Sequence, residues 1–240
     1  GNFADPLLRD KDGKAQYRLE DESGAIIRVA PDFKSHEIVA TGIRFPVALR
    51  FNVNGDLFAT DQEGATWVPN GNPLDELLHI QRGRHYGFPP RHPVFLPNVI
   101  DEPSTFDYAP QHQSTCGFNF NEPVRPGGPA FGPADWAHSA LVTGYSRGKL
   151  FRTDIARTPA GYVARTNLLA CANMLTVDAC VSPEGGLVVA CHSGAPDWGS
   201  GPTGQGKLFK IDYADREYPQ PVAVWPTASR EIHVEFDRPV

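Results

Sequence analysis

Short apolar runs separated by tight turns recur along the chain, and they predict strands rather than helices. In residues 47–61, VALRFNVNGDLFATD, two apolar runs flank Asn54-Gly55, a dipeptide typical of hairpin turns. Residues 175–194, LTVDACVSPEGGLVVACHSG, repeat this arrangement with a Pro-Glu-Gly-Gly turn. Few windows place apolar residues at i, i+3, i+4 and i+7, the spacing of an amphipathic helix. The pattern therefore predicts an all-β fold.

A second repeated segment follows these hairpins. Residues 24–32, 148–156 and 206–214 read GAIIRVAPD, GKLFRTDIA and GKLFKIDYA, and each precedes a short apolar run, beginning at Glu37, Tyr162 and Pro221. Each complete unit thus has an inner strand, a second strand, a third strand and an irregular fourth. One such sheet cannot bury both of its faces, so neighbouring sheets must stack. We therefore predict a β-propeller of four-stranded antiparallel blades.

The repeats account for about three and a half blades, which form a partial ring. The outer strands of one blade come first, and full blades follow at residues 47–108, 114–166 and 175–225, with residues 47–53, 114–121 and 175–181 as innermost strands. We expect residues 1–228 to form this partial propeller, and residues 229–240 to begin a further blade or a following domain. Because the chain opens at Gly1 within the repeat pattern, we expect it to be part of a longer protein.

Composition narrows the classes of function. The 240 residues include 23 glycines and 23 prolines, and 40% are hydrophobic, which is typical of a turn-rich globular protein rather than a disordered one. The net charge is −6 and acids and bases are interspersed, which argues against nucleic-acid binding. No apolar run approaches the roughly 20 residues of a membrane-spanning helix.

Polar residues are predicted to lie together on one face of the stacked blades. The loop before an inner strand and the loop after the second strand lie on the same side of a blade, and long loops on one face usually carry binding. This face is expected to hold Arg44, Gln62, Glu63, His112, Thr115, Arg147 and His192. The two histidines are candidate proton acceptors, although a single loop histidine more often serves as a hydrogen-bonding residue. No G-x-S-x-G motif is present, which disfavours a hydrolase.

Four segments of this region carry a resemblance to a known family: GIRFP (42–46), DQEG (61–64), NPLDELLHI (72–80) and GRHYGFP (83–89). They resemble motifs of the soluble quinoprotein glucose and sorbosone dehydrogenases, which are six-bladed β-propellers. The sequence is more similar still to large exported bacterial propellers described as membrane-bound dehydrogenases, often fused to a haem-binding domain. The resemblance implies oxidation of a sugar or polyol with a quinone acceptor, a possible haem-domain electron acceptor, and a periplasmic or secreted location.

The resemblance also implies roles for individual residues. Arg44 matches the arginine that meets pyrroloquinoline quinone (PQQ), although it equally fits a structural arginine that bonds to backbone carbonyls at the blade entrance. The shared face adds further cofactor-binding candidates: Gln62, Glu63, Thr115 and Arg147. Gly64 and Ala65 match positions whose backbone carbonyls hold calcium beside the quinone. A second calcium site is implied at Asp75, Glu76 and Tyr86. Calcium prefers carboxylate and carbonyl oxygens, which residues 61–76 supply, although Asp75 and Glu76 also fit a simple capping pair.

Three positions depart from the family pattern and leave a second function open. Phe45 stands where the family has asparagine, and Leu175 and Val177 stand where it has paired arginines that hold the quinone. The family's catalytic histidine belongs to blades outside this sequence. The alternative function is a non-catalytic propeller that binds a glycan or a partner protein through the same face. The missing arginines favour this alternative, and the DQEG and DELL motifs favour the dehydrogenase.

Overall fold

The computed structural model describes residues 12, 22, 24–63, 74–88, 104–110, 113–195, 203–214, 219 and 221–240. These residues form fifteen β-strands and two short 3-10 helices, Ala134–Trp136 and Tyr145–Arg147. The prediction of an all-β fold is confirmed. Neither described helix has the length or the apolar character that crossing a membrane requires.

The strands form a series of antiparallel sheets in chain order. A hairpin comes first, made of β1 (Ile26–Val29) and β2 (His36–Ala40). Blade 1 follows, with β3 (Pro46–Phe51), β4 (Leu57–Asp61), β5 (Asp75–Ile80) and β6 (Phe106–Tyr108). Blade 2 contains β7 (Thr115–Phe120), β8 (Ala140–Gly144), β9 (Lys149–Thr158) and β10 (Gly161–Cys171). Blade 3 contains β11 (Leu175–Val181), β12 (Leu187–His192) and β13 (Lys207–Ile211).

The first strand of each blade is its innermost strand. β3, β7 and β11 each lie at the end of their sheet, and β7 contacts both β3 and β11. This is the arrangement of a partial β-propeller, in which successive blades meet along an axis. The three predicted inner strands are therefore confirmed.

Tight turns join the first two strands of blades 1 and 3. In blade 1, the Asn52 side-chain oxygen accepts hydrogen bonds from the backbone N–H groups of Asn54 (3.0 Å) and Asp56 (2.9 Å). Gly55 adopts φ 79°, which a residue with a Cβ rarely tolerates. The Asn-Gly signal in the sequence is thus explained by the backbone geometry that it permits.

Apolar side chains hold the blades together, because successive residues of each strand point to opposite faces. In blade 1, Phe58 and Leu77 face blade 2, whereas Ala59 and Leu78 face the β1–β2 hairpin. In blade 2, the residues that face blade 1 alternate with residues that pack against blade 3. Each blade is therefore buried by its neighbours rather than by its own strands.

The chain after β13 departs from the expected repeat. β14 (Pro221–Ala228), predicted as the outer strand of the third blade, pairs instead with β15 (Glu231–Phe236). Ser229 and Arg230 form the turn between them, and this short closure costs less chain entropy than the longer connection back to β13. The hairpin spans the predicted boundary at residue 228, and the division into domains stays a prediction.

Stacking between blades predicts that two phenylalanines of blade 1 contribute very differently to the free energy of unfolding. Phe58 is fully buried and its ring lies 5.5 Å from Phe120 and 5.0 Å from Tyr162 of blade 2, measured between centroids. Phe51 is 67% exposed. Phe58→Ala should lower the free energy of unfolding by about 3–5 kcal/mol in denaturant titrations, and Phe51→Ala by less than about 1 kcal/mol. Equal losses in the two variants would contradict packing between blades.

Candidate functional site

The ends of three strands bring acidic residues together at one edge of blade 1. β3 begins, β4 ends and β5 begins at this edge. The antiparallel register pairs Pro46 with Asp61 and Asp61 with Glu76. Residues far apart in sequence therefore become neighbours across the sheet.

Four carboxyl side chains are buried at this edge. Asp61, Glu63, Asp75 and Glu76 are 0%, 1%, 4% and 1% exposed. One carboxylate oxygen from each of Asp61, Glu63 and Glu76 lies within 4.8 Å of the others. We call these three residues the acid cluster. Its oxygens match the preference of a hard cation such as Ca²⁺, whose ligand distances of about 2.3–2.6 Å place opposite ligands nearly 5 Å apart.

Backbone N–H groups orient the two aspartates of this edge. Asp61 accepts hydrogen bonds from the backbone N–H of Arg44 (2.9 Å) and of Phe45 (2.6 Å), which immediately precede β3. Asp75 accepts from the N–H of Glu63 (2.9 Å) and from that of Ser114 (2.7 Å), which precedes blade 2. The carboxylates are thus fixed by the chain on both sides of the edge.

The environment of Asp61 shifts its protonation. Burial raises the pKa of Asp61 to about 6, and the hydrogen bonds from Arg44 and Phe45, together with the charge of Arg44, oppose this rise. The Arg44 guanidinium is itself held in place, because its Nη1 donates to the Gln62 carbonyl at 2.7 Å. A bound cation would favour the ionised carboxylate and reverse the effect of burial.

Hydrogen bonds extend the site across blade 2 to blade 3. The Gln62 side-chain amide donates to the Thr115 carbonyl (3.0 Å), and the Thr115 hydroxyl donates to the Asp61 carbonyl (2.9 Å). The Tyr145 N–H donates to the Ser114 carbonyl (3.0 Å). The Tyr145 hydroxyl lies 3.3 Å from Nδ1 of His192, at the end of β12. One face of the partial ring therefore carries polar groups from all three blades.

The structure brings most of the predicted residues to this face but separates one of them. Six of them lie around the same blade edge: Arg44, Gln62, Glu63, Thr115, Asp75 and Glu76. Arg147 is exposed at the end of the 3-10 helix after β8, and His192 is exposed at the end of β12. Tyr86 lies elsewhere, because its hydroxyl donates to the His79 carbonyl (2.5 Å) near the far end of β5. The predicted positions Gly64, Ala65 and His112 fall outside the described residues.

Asp61 and Ser114 contribute to the site but were not among its predicted ligands. Asp61 is the last residue of β4, and the strand register that places it opposite Glu76 is not visible in the sequence. Ser114 adopts φ 51°, an unusual conformation for serine, while its N–H donates to Asp75. The acids of the DQEG and DELL motifs were the sequence signal for the cluster. The loop between the two motifs gave no indication of which acids come together.

Comparisons with solved structures find the same fold in proteins described as sugar dehydrogenases. A scan against models of protein families finds no match, and a search of the curated proteins finds none either. Among solved structures, the chain is similar to the PQQ-bound aldose sugar dehydrogenase from Streptomyces coelicolor, with 17% identity and a TM-score of 0.55 over 79% of this chain and 52% of that one.

Two glucose dehydrogenase structures show the same likeness. One has a TM-score of 0.56 and 16% identity over 86% of this chain and 63% of its own. The other, an oxidoreductase described as a glucose dehydrogenase from Thermus thermophilus, has a TM-score of 0.53 and 18% identity over 73% and 47%. The chain thus spans about half to two thirds of these proteins. The predicted resemblance to the quinoprotein glucose dehydrogenase propellers is confirmed at the level of the fold.

The raised pKa of Asp61 predicts how stability depends on pH when a chelator is present. The native state holds this proton more tightly than the unfolded chain, whose reference pKa is 3.8, so stability should fall as pH rises from about 4 to about 6. Denaturant titrations across this pH range measure the slope.

Two variants isolate the contribution of Asp61 to this slope. Asp61→Asn removes the titrating group and should flatten the pH dependence. Asp212→Asn changes an exposed aspartate of the segment after β13 and should leave it unchanged. A slope that persists in full in Asp61→Asn would show that other groups carry the pH dependence.

Proposed function

We propose that this chain is part of a sugar or polyol dehydrogenase that uses PQQ and calcium on the face that carries the acid cluster. The observation that carries the proposal is the burial of Asp61, Glu63 and Glu76 with their oxygens within 4.8 Å of one another. Support comes from the fold, which is shared with a PQQ-bound aldose sugar dehydrogenase.

The acid cluster is the proposed place for calcium. Burying several carboxylates together is costly unless protons or a cation neutralise them. Three carboxylate oxygens supply part of the 6–8 oxygen ligands that Ca²⁺ takes, and the carbonyls of Gly64 and Ala65 are proposed to add to them. Magnesium fits less well, because it requires compact octahedral geometry and retains its water.

The proposed quinone contacts are cationic and polar groups beside this cluster. PQQ is an anionic quinone, and Arg44 and Arg147 are the proposed partners for its carboxylates. The bond from Arg44 to the Gln62 carbonyl limits the motion of that guanidinium, so less entropy is lost on binding. When bound, the quinone supplies a hydride acceptor that protein side chains lack.

The proton of the substrate hydroxyl needs a separate acceptor. The resemblance assigns this role to a histidine in blades outside this sequence. His192 is a candidate within the chain, because it is exposed on the proposed face and its Nδ1 meets the Tyr145 hydroxyl. Tyr145 would orient the imidazole and leave Nε2 for a substrate. The haem-domain acceptor and the exported location rest on the sequence resemblance and stay predictions.

The alternative is a propeller that binds a glycan or a partner protein without catalysis. Leu175, at a family arginine position, is fully buried and therefore cannot contact a ligand, whereas Phe45 is 51% exposed. An exposed aromatic ring on this face fits sugar stacking in either function. The two functions differ in whether the face holds the quinone, so quinone binding distinguishes them.

Calcium should raise the melting temperature of the full chain. At a calcium concentration about 100 times Kd, binding adds about 2.7 kcal/mol to the free energy of unfolding, or about 5–10 °C for a chain of this size. Glu76→Gln should reduce this increment, since it removes one carboxylate of the acid cluster. Glu184→Gln changes an exposed glutamate in the blade 3 turn and serves as the matched control. Identical melting temperatures in calcium, magnesium and chelator would remove calcium from the proposal.

Quinone binding should depend on Arg44. In the presence of calcium, titration followed by quinone absorbance should give saturable binding, and Arg44→Gln should raise Kd about ten-fold through loss of a charge-assisted contact. Arg125→Gln, at an exposed arginine between β7 and β8, should leave Kd unchanged. Dehydrogenase activity is then measured as the reduction of a dye upon addition of sugar. Glycan binding without quinone binding would favour the alternative function.

A further inference from the structure

A cavity lies at the opposite end of blade 1 from the acid cluster. Its volume is about 520 Å³, and it opens between the segment after β5 and the turn that joins β9 to β10. Five strand steps separate Asp75 from Ile80, so the two ends of β5 are roughly 16 Å apart. The side chains at this end of the blade take no part in the proposed dehydrogenase site.

The long β9–β10 hairpin of blade 2 builds one wall of the cavity. Its tip reaches across to blade 1, where the Tyr162 hydroxyl donates to Oδ2 of Asp56 (2.5 Å) and accepts from the Asn52 amide (2.9 Å). The Tyr162 ring also packs edge-on against His79, with 4.9 Å between the ring centroids. These contacts fix the wall in place before any ligand binds.

Positive charge is concentrated around this cavity. Arg82, Arg84 and Arg157 line it, in a chain whose net charge is −6. Asp56 is the acid among the lining residues, and it already accepts the Tyr162 hydrogen bond. Arg82 is paired with Glu37 by two hydrogen bonds of 2.7 and 2.9 Å. The lining thus carries three guanidinium groups and one carboxylate, and Glu37, which lies outside the lining, offsets the charge of Arg82.

The lowered pKa of His79 is consistent with the positive charge around the cavity. Burial lowers the pKa of His79, and the charges of Arg84 and Arg157 lower it further, while Asp56 opposes them. Both guanidinium groups therefore act on the imidazole at the cavity wall. Arg157 also lies 3.9 Å from the Asp56 carboxylate with its side chain 64% exposed, which leaves it available to other anions.

We propose that this cavity binds a phosphate-type oxyanion, either free or as a phosphate monoester, between Arg84 and Arg157. The guanidinium group suits such a ligand because its parallel N–H donors match two oxygens of a phosphate. The Gln81 amide, 3.2 Å from Nδ1 of His79, adds a neutral polar group at the same wall. The volume accommodates a small organic group in addition to the phosphate.

Calorimetric titration of the full chain tests the proposal, with inorganic phosphate and glycerol phosphate as the two probes. The buffer contains no calcium, and chloride keeps the ionic strength constant as the probe is added. Specific binding is thereby separated from general electrostatic screening. We expect saturable binding of at least one probe. Equal affinity for both probes identifies the free ion as the ligand, and tighter binding of the monoester identifies a phosphate carried on a small molecule.

Two variants and one control assign the binding to this cavity. Arg157→Gln removes a proposed contact, and Ala160→Glu adds a negative charge at the exposed hairpin turn without removing a hydrogen bond of the native fold. Each should raise Kd about ten-fold. Arg165→Gln, on the same hairpin but paired with Asp154, should leave Kd unchanged. Absence of saturable binding of both probes, or equal weakening in all three variants, would overturn the proposal.

Discussion

A blade of three or four antiparallel strands has two apolar faces, and it cannot cover either face with its own strands. Stacking covers both faces. Phe58 and Leu77 pack against blade 2, and Ala59 and Leu78 pack against the first hairpin. The apolar contacts between blades bring the innermost strands together. Polar side chains are consequently displaced to the strand ends, which is where both proposed sites occur.

The acid cluster follows from this constraint together with the strand register. Pairing of Asp61 with Glu76 places carboxylates in a buried edge that water reaches poorly. Part of the cost of burying the carboxylates of this edge is offset by backbone donors. One of these, the Ser114 N–H, donates to the neighbouring Asp75 and precedes blade 2 rather than belonging to blade 1. The electrostatics of the site therefore depend on correct stacking of two blades, and a defect in their packing should also disturb ligand binding.

The sequence predicts the inner strands and their turns well, because alternating apolar residues and the Asn54-Gly55 turn act over short distances. It predicts partners across long loops poorly. Thirteen residues separate Asp61 from Asp75, so the contact between β4 and β5 is set by register rather than by local pattern. Tyr86 was placed with the acids by resemblance, but its hydroxyl donates to the His79 carbonyl near the other end of β5. Outer strands are similarly ambiguous, and β14 pairs with the nearer β15.

The two proposed sites lie at opposite ends of the same strand and carry opposite charge, which raises the question of whether they are coupled. Two unit charges roughly 16 Å apart interact by about 0.3 kcal/mol in water and by about 1 kcal/mol at an effective dielectric constant of about 20. Salt at physiological concentration reduces this further, because the Debye length is about 8 Å. Direct electrostatic coupling is thus too weak for one site to control the other. Any larger coupling between cation and oxyanion binding would have to pass through the packing of β5, Phe58 and Tyr162 between the blades.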